Sequence, residues 1–206
     1  MAVLQLCHLN DVLNYPGMAN VGDEDKNWVE RLIAGFSKRA EMLTNRLFYR
    51  ESRTQDFSPD INQTIIQLPA FGNTSDTITS VYEDLDREWA PGTLINSADY
   101  FYDTDTGLLV RDHSYWQHGR NVIRVTWTGG FGTTVDDVPD DLRMAAIMQC
   151  AFWYQRRNEL GVTQRTSSGG AVSLTSPSKL LPEVEDVVSL YTLYTFDGGI
   201  KGGRRY

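Results

Sequence analysis

Of 206 residues, only two are cysteine and three are histidine. Cys7 and Cys150 stand far apart and neither opens a CxxC pair, which argues against a zinc ribbon or a dithiol redox motif. They are expected to be free, buried thiols in a reducing compartment. No stretch of about 18 apolar residues occurs, so no membrane-spanning helix is expected. No basic flank precedes an apolar run near the start, so no secretory signal is expected either. The chain therefore reads as soluble and cytoplasmically made. Positive charge is also in deficit: 19 Lys and Arg against 27 Asp and Glu, a formal net charge of -8 and a pI near 4.8. Sequence-independent binding to a phosphate backbone needs a basic face, which the chain as a whole does not supply. There is no GxxxxGK[ST] or GxGxxG loop for phosphates and no GxSxG elbow for a serine nucleophile. No cofactor is expected.

What is present is organised as helices around a β-rich middle. Val3, Leu6, Leu9, Val12 and Leu13 suggest a short helix over about 3–14, closed by Tyr15-Pro16-Gly17. Asp23-Glu24-Asp25 then opens a long helix over about 23–49, with acid at the positive end of its dipole. Trp28, Leu32, Phe36, Ala40, Leu43 and Leu47 follow in steps of three or four and predict its buried stripe. From about 50 to 133 the pattern becomes β-branched and alternating. Candidate strands are Thr64–Leu68, Thr77–Tyr82, Tyr100–Tyr102, Leu108–Val110 and Val122–Trp127, separated by turn signals such as Ser58-Pro59-Asp60 and Asp105-Thr106-Gly107. This spacing predicts a small antiparallel sheet or sandwich-like insert.

Gly129-Gly130 ends the last strand. Pro139 then suits the first turn of a helix over about 139–158. That helix is apolar on almost every side, the mark of a helix buried all round or partly covered by a neighbouring subunit. Thr166–Ser178 is low in complexity and reads as a flexible loop or arm. A last helix is expected over about 183–195, with Val184, Val187, Val188, Tyr191 and Tyr194 on one face. Asp197–Tyr206 is rich in glycine and ends in basic residues. The fold class expected is α+β, mainly helical: about four helices with an inserted antiparallel β-region, forming one domain over 1–196 and a C-terminal arm over 197–206.

Several groups invite a chemical reading. Asp103-Thr104-Asp105-Thr106-Gly107 begins like a calcium loop, but Ser114 stands where the bidentate Glu is needed. A hairpin turn is the simpler reading. His113 and His118 flank Tyr115-Trp116, and with Asp103 and Asp105 they offer the ligands of a metal-assisted hydrolase or transferase. Two surface histidines at a strand-to-strand turn are the simpler reading. Asp136, Asp137, Asp140 and Asp141 form the densest acidic cluster, yet they sit where a helix start already favours carboxylates. Arg156-Arg157 suits the end of the same helix. None of these groups predicts an enzyme.

Four segments in order resemble the head–tail connector, or adaptor, family of tailed bacteriophages. They are Leu43-Thr44-Asn45-Arg46-Leu47-Phe48, Val125-Thr126-Trp127-Thr128-Gly129-Gly130-Phe131, Val138-Pro139-Asp140-Asp141-Leu142-Arg143-Met144-Ala145 and Phe152-Trp153-Tyr154-Gln155-Arg156-Arg157. The resemblance covers about residues 3–196 and is weakest between Ser80 and Gly119. It implies a non-enzymatic virion protein of the neck, assembled in the host cytoplasm and forming a ring of about twelve copies. In that family the ring sits under the portal protein, receives a stopper or tail-completion protein, and passes genomic DNA through its channel without sequence-specific binding. No membrane is involved. The portal-binding arm expected here is Asp197, Gly198, Gly199, Ile200, Lys201, Gly202, Gly203, Arg204, Arg205 and Tyr206. Glycine gives reach, and Arg and Tyr are favoured interface anchors. A stopper or tail terminator is the nearest alternative, and its β-dominated fold would lower the helix content.

Overall fold

The computed structural model describes residues 3–18, 20–157, 164–167, 170–173 and 179–193. It divides into two compact units: Met1–Arg46 with Thr133–Thr192, and a second built on Leu47–Gly132.

Among its described residues the first unit holds four α-helices: α1 (Leu9–Leu13), α2 (Asp23–Thr44), α3 (Asp140–Gln155) and α4 (Pro182–Leu190). The first helix is shorter than the apolar spacing predicts. The Asp11 carboxylate accepts the His8 backbone N–H at 3.3 Å, which starts the helix there. Leu4, Leu6 and Cys7 are buried ahead of it without being helical. α2 ends at Thr44 rather than 49 because Asn45 turns left-handed at φ 52 and ψ 30, a conformation asparagine tolerates. α4 stops at Leu190, short of the expected 195.

The buried stripe of α2 is Val29, Ile33, Phe36, Ala40 and Thr44, which shares Phe36 and Ala40 with the predicted stripe. Trp28 and Leu43 were assigned to the core, yet they are 47% and 49% exposed. The core face is rotated by about one residue from the expected one, so Val29 and Ile33 take the places expected for Trp28 and Leu32. Ser37 and Thr44 lie inside the true stripe because each donates its hydroxyl back to the carbonyl four residues earlier, at 2.8 Å. Ser37 also accepts the buried Leu6 N–H at 3.1 Å, tying the first segment to α2.

α3 packs on α1, α2 and α4, as its apolar circumference predicts. Leu142, Ala145, Ala146, Cys150 and Ala151 are buried along it. So is Gln149, whose Oε1 accepts the N–H of Leu181 at 2.8 Å and holds the start of α4. Cys7 and Cys150 are free and buried, as expected. The neighbouring Cys7 thiol and burial push the Cys150 thiol well above its ordinary value, so it rests uncharged.

Part of the stretch read as a loop, 166–178, is ordered backbone. β7 (Gln164–Ser167) pairs antiparallel with β8 (Gly170–Ser173). A two-stranded ribbon needs backbone pairing more than apolar content, so low complexity did not preclude it.

The second unit contains two three-stranded antiparallel sheets, in the orders β1-β6-β3 and β2-β5-β4. Their strands are β1 (Glu51–Phe57), β2 (Ile65–Gln67), β3 (Thr77–Glu83), β4 (Tyr100–Asp103), β5 (Leu108–Arg111) and β6 (Ile123–Gly129). β6 alternates cleanly: Ile123, Val125, Trp127 and Gly129 are buried, whereas Arg124, Thr126 and Thr128 are partly exposed. The buried set joins Ile66, Leu68, Val81, Leu109 and Trp116 in one core. Both buried indoles are satisfied, Trp116 by the Thr64 carbonyl and Trp127 by that of Ala70, each at 2.9 Å.

The expectation of a mainly helical protein is therefore corrected: the fold is mixed α+β. The insert is not an appendage but two sheets enclosing their own core. One of its strands, β1, carries the sequence Glu-Ser-Arg-Thr-Gln-Asp-Phe and so gave no apolar alternation to read.

Candidate functional surfaces

The groups that suggested chemistry resolve into local structure. Asp103 closes the β4–β5 hairpin. Its carboxylate accepts the Asp105 N–H at 2.9 Å and the Thr106 hydroxyl at 2.6 Å, and its carbonyl accepts the Gly107 N–H at 2.8 Å. The Thr106 hydroxyl, with the Asp105 and Thr106 N–H groups, holds this carboxyl below its ordinary value. Asp105, His113 and His118 are exposed, and His113 takes a left-handed φ of 59 in its turn. Among the described residues, no three of His, Cys, Asp and Glu converge as a metal site.

The acidic cluster around α3 is spread over separate partners. Asp137 accepts the Thr134 hydroxyl at 2.9 Å and the N–H groups of Thr133 and Thr134 at 3.1 Å. Those bonds, the hydroxyl first, lower its pKa. Asp136 lies 3.4 Å from His8 Nε2 and 3.7 Å from Arg143. Asp140 pairs with Arg143 one turn on. Asp141 accepts the Tyr191 hydroxyl at 2.6 Å, across from α4. Burial, then that hydrogen bond, raises the Tyr191 phenol far above its ordinary value. These carboxylates fasten helix ends; they do not face one another as an acid–base pair. Arg157 likewise returns to its own helix, donating to the Tyr154 carbonyl at 3.0 Å and reaching Asp25 at 3.4 Å.

Gly129 and Gly130 are fixed by close approach. A Cβ on Gly129 would lie 2.2 Å from the Ala70 carbonyl oxygen. Gly130 has φ +128, and its Cβ would meet the Tyr49 carbonyl at 2.8 Å. This glycine pair lets β6 end against two other backbone segments, a structural role.

Two features escaped the sequence reading. The first is the loop after β3. Asp84 is only 7% exposed, and its carboxylate accepts the N–H groups of Asp86 at 2.9 Å, Glu88 at 3.1 Å and Trp89 at 2.7 Å. Burial opposes its ionisation, but the N–H groups of Trp89, Asp86, Arg87 and Glu88 outweigh it and hold the carboxyl below its ordinary value. This convergence keeps Arg87 at φ 61 and Trp89 at φ 56, conformations that cost bulky residues energy. Arg124 lies 4.2 Å over the Trp89 ring and makes two hydrogen bonds to Asp56 at 2.7 and 2.9 Å. Leu85 is left 60% exposed on this rigid loop. An Asp followed by backbone donors was the only available signal, and Asp-Leu-Asp has no distinguishing pattern.

The second is the outer side of α2, where Trp28, Met42 and Leu43 are 47%, 73% and 49% exposed. On α3, Met144 is 53% exposed beside an open cleft lined by Asp11, Asn14, Tyr15, Pro16, Asp140, Arg143 and Ile147. Exposed apolar groups of this size mark contact surfaces rather than a reaction centre. The expected arm, Asp197–Tyr206, lies outside the described residues.

The chain matches the head completion protein family over residues 5–194. Its fold is similar to three solved structures. One is described as the neck of an empty gene transfer agent (GTA) particle computed with C6 symmetry, with a TM-score of 0.55 and 14% identity over 97% of this chain and 96% of that one. Another is the virion of a native GTA particle, at 0.55 and 16% over 97% and 96%. The third is the neck of a native GTA particle computed with C12 symmetry, at 0.52 and 13% over 97% and 99%. No curated protein is significantly similar to the chain. At this identity the likeness establishes the fold, while the match over nearly the whole sequence establishes the family. By that match the chain belongs to the head completion protein family, a family of structural proteins and not enzymes.

Proposed function

We propose that this protein is a neck subunit of a virion, forming a ring adaptor between the portal vertex of the capsid and the next tail or neck protein, with the genome passing through the ring. The observation that carries this reading is the likeness of fold over 97% of the chain to a component of a neck computed with C12 symmetry. That symmetry supports a ring of about twelve copies, each subunit using two different patches on its neighbours. The net charge of -8 fits a conduit, because a wall that bound phosphates tightly would retard sliding DNA. Sequence-specific contact with the genome has no place in this role.

The portal end of the adaptor is assigned to Asp197–Tyr206. Lys201, Arg204, Arg205 and Tyr206 supply charge and an aromatic anchor, and the glycines between them supply reach. The other face of the ring receives the stopper or tail-completion protein. Deleting Asp197–Tyr206 tests the assignment: the shortened protein keeps its circular dichroism and melting profile but no longer sediments with portal-bearing heads. Co-sedimentation at the wild-type level would remove the arm from the account.

A further inference from the structure

The outer side of α2 carries more than scattered apolar residues. With 3.6 residues per turn, Trp28, Leu32, Gly35, Met42 and Leu43 fall within roughly 100° of arc. That arc is distinct from the buried stripe through Val29, Ile33 and Phe36. Gly35 is the odd member. It sits mid-helix, where glycine is unfavourable, and a Cβ there would meet nothing within 4 Å. Among the described residues nothing asks for its smallness, whereas a second surface approaching the helix would. Arg31 and Lys38 are exposed along one border of this ridge, Lys38 in an ion pair with Glu41 at 3.2 Å; Arg39 falls within the arc, and Glu24 and Asp25 stand one turn before Trp28.

The same unit offers a matching hollow. The cleft between α1 and α3 has a volume of about 500 Å³ and is lined by Tyr15, Pro16, Met144 and Ile147, with Asp11 and Asp140 at its edge. Asp136 stands nearby, 79% exposed at its side chain, so acid outnumbers base there. One patch is an apolar ridge carrying an exposed tryptophan, with Arg31 and Arg39 along its middle and acid at its first turn; the other is an acid-edged apolar hollow. We infer that the α2 ridge of one copy seats in the α1–α3 cleft of the next, with Trp28 as its anchor and Gly35 as the point of closest approach. Ridge and hollow share no residue, so the contact is heterologous and generates a ring when the rotation closes. Tryptophan at the centre of such a contact is the residue type most often decisive for affinity. This inference rests on the ring reading.

The test uses whole particles in which position 28 carries a photoreactive benzophenone amino acid. Irradiation is expected to yield a species of twice the chain mass, with the adduct mapped to Asp11–Pro16 or to Met144 of a second copy. Adducts only to a different virion protein, or none to a second copy, would overturn the inference. In a parallel arm, Gly35→Gln adds bulk at the ridge while favouring the helix. Its expected result is a monomer that melts no lower than wild type yet shows a loss of roughly tenfold or more in the share of copies found in rings. Normal ring occupancy by Gly35→Gln would also overturn it. Images of wild-type necks separate the two levels. A wild-type ring cross-linked elsewhere removes only this contact; wild-type necks without a ring of this chain remove the ring reading and the contact with it.

Discussion

Gly35→Ala should make the isolated protein more stable, although it touches no other residue. Glycine in a helix interior costs about 0.8–1 kcal/mol relative to alanine, chiefly because the unfolded chain has more freedom to lose. Two conditions decide whether that gain is realised here. The backbone must be one that alanine accepts, and position 35 lies inside α2 with no left-handed φ. The methyl group must also find room, and a Cβ at position 35 meets nothing within 4 Å. Both hold, so a gain of about 0.5–1 kcal/mol is expected, which for a chain of this size shifts the midpoint by roughly 1–4 °C. Urea titration followed by circular dichroism should show a higher midpoint with an unchanged slope, since no buried surface changes. A lower midpoint would mean that Gly35 is not at an open helical position in the monomer. The argument for a neighbouring surface at α2 would then lose its basis.

Two further perturbations probe single contacts. Ser37→Ala removes the hydroxyl that accepts the buried Leu6 N–H and leaves that donor unpaired, a loss of about 1–3 kcal/mol measurable as a fall in urea midpoint; an unchanged midpoint would show that the first segment does not depend on this bond. For Asp84, the folded-state pKa lies below its unfolded value near 3.8, so its contribution is complete above that value and is lost as pH falls through the folded one. The loop that holds Trp89 should therefore loosen on acidification below about pH 4, seen as a change in indole fluorescence that Asp84→Asn abolishes by removing the titrating carboxyl; a Trp89 signal that titrates equally in Asp84→Asn would assign the transition to another group.

How much of this was legible depended on where the signal was carried. Strands with apolar alternation, such as Ile123–Trp127, could be placed from sequence because half of each faces a core. Glu51–Phe57 could not, because its pairing with β6 uses backbone groups that no side chain advertises. In α2 the period of the apolar residues was readable but its phase was not. Trp28, Leu32 and Leu43 are as regularly spaced around Phe36 and Ala40 as Val29, Ile33 and Thr44 are, and only packing chose between them. That ambiguity is itself informative: a helix with two apolar stripes has one for its own core and one left over. The acidic cluster before α3 was read correctly as helix-end chemistry, whereas Asp84 was invisible because its ligands are backbone N–H groups. The adaptor resemblance rested on short segments whose structural roles are now plain. Thr44-Asn45-Arg46 is a helix end turning left-handed, and Gly129-Gly130 ends β6 against neighbouring backbone.

The central claim is that copies of this chain form a ring in the neck between portal and tail. It is tested most directly by cryo-electron microscopy of the assembled particle, with the neck reconstructed without imposed symmetry and density assigned by fitting this fold. The account predicts a closed ring of about twelve copies directly below the portal, with α2 of each copy against α1 and α3 of the next. Density for this chain elsewhere in the particle, or as isolated copies not in contact with one another, would contradict it.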